Sequence, residues 1–359
     1  ALKVSKSNLA GLLVALGRET AGAIRLVMTG APTSDQDEKR LVTAAELSER
    51  IRQRADRPFS VWDEKVRLSI AGYQDKLALL VEGEHWYLAE GPNLASTHIL
   101  KPEPVRQSLA GLTSNEFFCM RLAHAVSLPV APVELHHVPE PVLLIERFDR
   151  LRQGDAIRRA HTIDGCQLLG LPVAYKYERI YGDGRDVKHV REGASLPRFF
   201  DATDRAANPA RDRLNLLRWT IFNVLIGNAD AHAKNLSFFM TSSGHVLAPA
   251  YDLVCNMLYI ENVNQNLAMA VGDAFLIEEV TALEWAQFCA ATHLNAALVV
   301  REIQRMIDLM RGSVVKVEQD ALSSGVDPEV IGRIRAVIEP ACERQAAIAP
   351  EIRGMLSYL

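Results

Sequence analysis

The chain has 359 residues, 48% of them apolar and 23% charged, with a net charge of −4. That length is enough for two or three units with real cores, and the composition is that of an ordinary soluble globular protein. The slightly acidic balance excludes nucleic-acid binding driven by bulk charge and leaves only a local basic patch for such a role.

Five cysteines (Cys119, Cys166, Cys255, Cys289 and Cys342) are scattered and show no CxxC spacing. Neither a disulfide framework nor a zinc site is expected from them, and a reducing cytoplasm suits them better. No apolar run reaches the roughly 18 residues of a transmembrane span. The opening "ALKVSKSNLAGLLVALG" lacks the pattern of a secretory signal. A membrane is therefore not an expected partner.

In chain order, residues 1–28 predict a helix followed by a short strand, "AGAIRLV", and then a polar linker, "TGAPTSDQDEKR". "TAAE" at Thr43–Glu46 reads as a capping box opening a charged helix. From about 60 to 148 the runs "VRLSI", "LALLV", "HWYLA", "THILK", "APVELHHV" and "PVLLIER" are short, apolar or alternating, and bounded by turn residues. They predict an antiparallel sheet. One helix interrupts it, "SNEFFCMRLAHAVSL", with Ser114 as its expected N-cap. Beyond "ERFDR" the strand signals fade. "RDRLNLLRWTIFNVLIG" predicts a buried helix, and three amphipathic helices follow, the last interrupted or ended near Pro340. Between the halves, "KYERIYGDGRDVKHVREGAS" is aperiodic and predicts a mobile loop.

The chemistry starts at "IGNADAHAKNL", where a buried helix ends in an Asp, a His, a Lys and two Asn. Phosphoryl transfer needs a carboxylate to orient the nucleophile's hydroxyl, and oxygen ligands for magnesium. Protein kinases place that Asp and a metal-binding Asn five residues apart, the offset of Asp230 and Asn235 here. An Asx-turn or a cap would account for the pair as well. Downstream, Asp252 follows a short strand, where a kinase places its second metal ligand, although the DFG sequence is absent. Upstream, Lys101 ends a strand-like run where a kinase places its phosphate-gripping lysine, and Glu116 is available as its helix partner. "SIAGYQDK" lies between two predicted strands at the place of a phosphate loop, though a hairpin turn explains it equally. "LLIERF" ends the sheet half where a kinase hinge would meet adenine.

The order of these features resembles the HipA family of bacterial serine/threonine kinases, the toxin half of toxin–antitoxin pairs. The stretches that carry the resemblance are "SIAGYQDKLALL", "THILKPEP", "NEFFCMRLAHAVSLPV", "LLIERFDR", "DGCQLLGLP" with "KYE", "IGNADAHAKNLSFF" and "LAPAYDLV", over roughly residues 66–258. The resemblance implies an α+β, two-lobed protein-kinase-like fold. Residues 1–57 would be a remnant of an N-terminal subdomain plus a linker helix, 58–149 a β-rich nucleotide-binding lobe, and 150–359 a helical catalytic lobe.

It also implies ATP- and Mg²⁺-dependent phosphorylation of a protein, an aminoacyl-tRNA synthetase in characterised members. The implied partner is a HipB-like DNA-binding antitoxin, with DNA met only through it. By position, Asp230 matches the catalytic base, and Asn235 and Asp252 the magnesium ligands. Lys101 matches the phosphate lysine, and Glu146 and Phe148 the adenine hinge. Ser69, Ala71, Gly72, Tyr73, Gln74 and Lys76 fall in the phosphate loop, Ser69 matching the autophosphorylated serine. His232, Lys234 and Gln167 match positions lining the reaction centre. Two departures stand out: "RIYGDGRD" replaces the family's "GGPG"-like loop, and most of the N-terminal subdomain lies outside this chain. A small-molecule or lipid kinase, or a catalytically silent binding module in a repressor complex, are the competing readings.

Overall fold

The central strand of the first sheet, "LALLVE", is buried on both faces, and the fold is built outward from it. The structure is a computed structural model. It describes residues 8–359 except 9, 12, 14–16, 18, 27–28, 30–35, 64, 67–73, 260 and 262. The chain forms two compact units, Ala1–Ser114 with Ala131–Thr162, and Asn115–Val130 with Ile163–Leu359. The division is thus not a single cut, since Asn115–Val130 belongs with the later residues.

In the first unit, strand β1 (Glu38–Val42) leads into helix α1 (Ala44–Arg52), followed by a two-residue hairpin of β2 (Val61–Trp62) and β3 (Lys65–Val66). Strands β4 (Leu77–Glu82), β5 (His85–Glu90), β6 (His98–Pro102), β7 (Val133–His137) and β8 (Pro141–Glu146) complete a six-stranded sheet, in the order β1-β5-β4-β6-β8-β7. All of its pairings are antiparallel. Alternation along β4 sends Leu77 and Leu79 to a core with Val42, Leu47, Ile51, Phe59, Trp62, Leu100 and Leu144. Leu80 points the other way, against Leu94, Ala95 and Ile157. Thr43 caps α1 by accepting the Glu46 N–H at 3.2 Å. Strands β9 (Arg150–Gln153) and β10 (Ala156–Arg159) form a separate hairpin.

The five sheet strands β4 to β8 lie where the alternating runs put them. β1 does not: the "EKR" read as linker is an edge strand, of which only Val42 is buried. Within "AGAIRLV", the described residues 21–26 form no strand, and the rest lies outside the described residues.

Helix α2 (Leu112–Ala125) begins two residues before the expected cap at Ser114. Its first N–H groups are capped instead by the Glu103 carboxylate, which accepts from Gly111, Leu112 and Thr113.

Strand β11 (Thr162–Asp164) starts on the last residue of the first unit, and the second unit goes on with short helix α3 (Gly165–Leu168), α4 (Leu196–Ala202), α5 (Pro209–Leu225) and the hairpin of β12 (Ser237–Thr241) and β13 (Gly244–Leu247). It continues with α6 (Ala282–Thr292), α7 (Ala296–Ser323), α8 (Pro328–Ile348) and a final turn, α9 (Ile352–Met355). α8 runs through Pro340 without ending. Pro340 faces solvent, so water can serve the carbonyl that its missing N–H leaves unbonded. All five cysteines are free, buried and in this unit. Among the described residues, no helix is long and apolar enough to cross a membrane.

Candidate active site

The Asp230 loop is fixed by the way α5 ends. From Leu216 to Leu225 nearly every side chain of this helix is buried, as in a helix packed on all sides. It stops at Gly227 (φ 70°). Asn228 N–H donates to the Asn223 carbonyl at 2.9 Å and Gly227 N–H to Val224 at 3.4 Å, the paired bonds of a left-handed helix end. Asn228 repeats the tie with its side chain, donating to Asn223 Oδ1 at 2.7 Å, while Asn223 donates to the Trp219 carbonyl at 2.8 Å. A Cβ on Gly227 would lie 2.8 Å from both Met257 and Val337, so this turn admits only glycine without a shift.

From that anchor the loop closes on itself. His232 N–H donates to the Asp230 carbonyl at 2.8 Å, and Asn235 N–H to the His232 carbonyl at 2.8 Å. Asn235 Nδ2 also donates to the Asp230 carbonyl, at 3.1 Å. The candidate base and the candidate metal ligand therefore hold each other. The bond uses the nitrogen of the Asn235 amide, leaving its carbonyl oxygen as the atom suited to a hard cation.

Tyr177 and Lys176, neither singled out from sequence, complete the surroundings of Asp230. The Tyr177 hydroxyl donates to Asp230 Oδ1 at 2.9 Å, and its ring meets His232 edge-on, 5.3 Å between centroids. The Lys176 ammonium lies 4.7 Å from the centre of the same ring. Burial lowers the Lys176 pKa, with Asp230 and Asp252 opposing the shift. Burial likewise lowers that of His232, against Asp230 and Asp252. Asp230 and Asp252 thus act on the same two basic groups, which places them in one electrostatic neighbourhood. Buried His232 Nδ1 has no hydrogen-bond partner among the described residues.

Asp252 itself has φ 59°, a left-handed conformation that Asp adopts more readily than most residues. The chain beyond it is held by Asn115 of α2, fully buried, which accepts from Cys255 N–H at 2.9 Å and donates to the Cys255 carbonyl at 3.0 Å. Lys234 is in an ion pair with Asp164. Asp164 also caps α3, accepting from Gln167 N–H at 3.0 Å while Gln167 Oε1 accepts from Asp164 N–H at 2.9 Å. Gln167 and Lys234 therefore meet through Asp164. Tyr251 fixes the same stretch, its hydroxyl donating to the Lys234 carbonyl at 2.7 Å. Asp230, His232, Lys234, Asn235, Asp252 and Gln167 all belong to the second unit.

The remaining candidates belong to the first unit. Lys101 sits on β6, only 4% exposed, opposite Leu143 of β8. Gln74 reaches the next residue, donating to the Pro102 carbonyl at 3.2 Å. Lys76 is half-buried just before β4. Ser69, Ala71, Gly72 and Tyr73 lie outside the described residues.

Glu146 is exposed at the end of β8, and Phe148 is half-buried between two members of an ionic network. There Arg147 donates to Asp149 Oδ1 at 3.0 Å and to Glu19 at 3.0 Å, and Arg150 donates to Asp149 Oδ2 at 2.8 Å. Among the described residues, no group of three or more His, Cys, Asp or Glu gathers for a metal. The donors Asn235 and Asp252 instead suit magnesium that takes its other ligands from water and phosphate.

A β-rich unit and a helical unit carrying a helix-anchored Asp-x4-Asn loop define the two-lobed α+β fold of protein kinases. The model of the HipA-like C-terminal domain matches residues 68–317. The serine/threonine-protein kinase toxin HipA of Shewanella oneidensis is 38% identical over 364 aligned residues, 99% of this chain and 81% of that protein. A putative kinase of Sinorhizobium fredii is 36% identical over 91% of this chain and 76% of its own length. Among solved structures, the Shewanella oneidensis toxin–antitoxin complex of HipA, HipB and operator DNA matches with a TM-score of 0.83 at 37% identity, covering 98% of this chain and 82% of that one. The chain belongs to the HipA family and is a serine/threonine protein kinase.

Proposed function

We propose that this kinase is the toxin of a toxin–antitoxin pair, and that it transfers the γ-phosphoryl group of ATP to a serine or threonine of a component of translation. An aminoacyl-tRNA synthetase is the substrate class proposed. The observation that carries the reading is the bond from Asn235 Nδ2 to the Asp230 carbonyl, on a loop locked to a buried helix end. It gives a base and a metal ligand one fixed relation, as positioning-dominated phosphoryl transfer requires.

In this reading residues 58–149 serve the nucleotide and residues 150–359 the transfer. Asp230 accepts and orients the substrate hydroxyl. Asn235 and Asp252 hold magnesium, which when bound neutralises charge on the phosphates. Lys101 grips the phosphates, and the backbone around Glu146 and Phe148 receives adenine. Ser69, Ala71, Gly72, Tyr73, Gln74 and Lys76 form the phosphate loop, with Ser69 as the site of self-phosphorylation. His232, Lys234 and Gln167 line the centre. A HipB-like antitoxin is the proposed partner, since HipB accompanies the Shewanella oneidensis HipA in its solved complex. DNA would be met only through that antitoxin, in the cytoplasm.

The test is transfer of labelled γ-phosphate from ATP, with magnesium or with excess chelator, to the chain itself and to heat-treated bacterial lysate protein. Wild type should label both only with magnesium. Asp230→Ala and Asp252→Ala should lose at least about a hundredfold, the scale of a lost base or charge stabiliser, with unchanged melting. Either variant labelling at the wild-type rate would sink the assignment. Mass spectrometry should find the self-phosphorylation mark on Ser69, and a mark elsewhere rejects that role.

A further inference from the structure

We infer that Tyr177 is a positioning residue for Asp230, its phenol fixing one carboxylate oxygen so that the other faces the substrate hydroxyl. The inference rests on the reading of Asp230 as base. Asn235 Nδ2 and His232 N–H both bond the backbone carbonyl of Asp230, so neither sets the rotation of its carboxylate. That rotation is broad and two-fold in an unanchored Asp, whereas a base must meet its proton at about 2.6–3.2 Å. The hydroxyl of Tyr177, 2.9 Å from Oδ1, supplies the missing restraint.

The frame carrying Tyr177 is built for this. Lys176 on one side accepts from Ala233 N–H of the catalytic loop at 3.1 Å. Glu178 on the other donates its N–H to the Ala268 carbonyl at 2.8 Å, and Ala268 N–H donates to Ala229 of the loop at 2.8 Å. Glu178 is buried, and its carboxylate accepts from Ala270 N–H at 2.8 Å and from Arg191 Nε at 2.5 Å. Gly193 and Ala194 close the other edge, donating to Glu178 and Tyr175 carbonyls at 3.1 and 2.9 Å. A Cβ on Gly193 would sit 1.8 Å from the Tyr177 carbonyl oxygen, so no side chain fits there. The segment is thus tied to the loop on both sides of Asp230, directly at Ala233 and through Ala268 at Ala229. A phenol held on such a frame restrains the carboxylate and is not free to swing as a gate.

The experiment compares wild type, Tyr177→Phe, Asp230→Ala and the double variant in magnesium-dependent phosphate transfer to heat-treated lysate protein, with melting curves alongside. Tyr177→Phe should lower kcat about tenfold through misorientation alone, with KM for ATP within twofold of wild type and the melting temperature unmoved. The double variant should be no slower than Asp230→Ala, because Tyr177 acts only through Asp230. Wild-type or faster turnover by Tyr177→Phe beside an inactive Asp230→Ala overturns the inference and leaves the base assignment standing. A KM and melting temperature that move together with kcat also overturn it, in favour of a structural role. An active Asp230→Ala overturns both.

Discussion

Replacing Asn115 by Ala tests whether the segment beyond Asp252 is held from the distant helix α2. The wild-type amide is fully buried and bonds both the N–H and the carbonyl of Cys255. After truncation the Cys255 carbonyl keeps a long bond from Leu258 N–H at 3.4 Å, while its N–H loses its partner. An orphaned buried N–H costs about 1–3 kcal/mol, and the second lost bond about 1 kcal/mol more. The expected loss is therefore about 3 kcal/mol, which lowers the melting temperature of a unit this size by roughly 6–12 °C. Because Asp252 lies three residues before Cys255, phosphate transfer measured well below the new melting point should fall as well, by about tenfold. The assays are calorimetry and labelled-phosphate transfer on the same preparation. A shift under about 1 °C with full activity would refute the reasoning, because the segment would then be held by something other than Asn115.

Gly227→Ala forces a side chain into a left-handed turn and against Met257 and Val337, so urea denaturation should show a loss of about 1–3 kcal/mol. An unchanged midpoint would mean that the turn accepts a Cβ. Lys101→Met keeps the buried stem on β6 but removes the charge, and kcat/KM for ATP should drop at least about a hundredfold. A variant with wild-type kcat/KM would remove Lys101 from the phosphate site. Burial lowers the His98 pKa to about 4, with Glu134 opposing and Arg152 and His136 reinforcing the shift. The fold thus favours the neutral ring, so its contribution is complete above the unfolded value near 6.5 and is lost as pH falls from there towards 4. Between pH 6.5 and 5 that is up to about 2 kcal/mol, and His98→Gln should lose less stability than wild type over that range. Equal losses in both proteins would show that other groups carry the acid limb.

What could be read from the sequence was what is local along it. Asp230 and Asn235 are five residues apart, and the sheet strands carry their own alternation, so both were visible without a fold. Asn228 had no evident role in the sequence, and its bonds to Asn223 make it part of the helix end that sets the loop. Tyr177 stands 53 residues from its carboxylate and Asn115 stands 140 from Cys255, separations at which no periodicity or spacing rule speaks. "KYE" is legible only as a stretch, and nothing in it assigns the tyrosine a partner. α2 was misplaced for the same reason: its cap, Glu103, lies eight to ten residues upstream of the N–H groups it serves. β1 was missed because an edge strand with one buried residue has almost no hydrophobic pattern to read.

The distribution of the cysteines makes the two units separately observable. All five thiols are buried in the second unit, and burial pushes those of Cys255, Cys289 and Cys342 up to about 12, 11 and 11. A neutral, enclosed thiol reacts with an alkylating reagent only when its surroundings open. The rate of alkylation in native buffer therefore reports opening of the second unit alone, residue by residue under mass spectrometry. Nucleotide-dependent slowing at Cys255, three residues past Asp252, would then be a readout of occupancy that needs no substrate and no phosphate transfer.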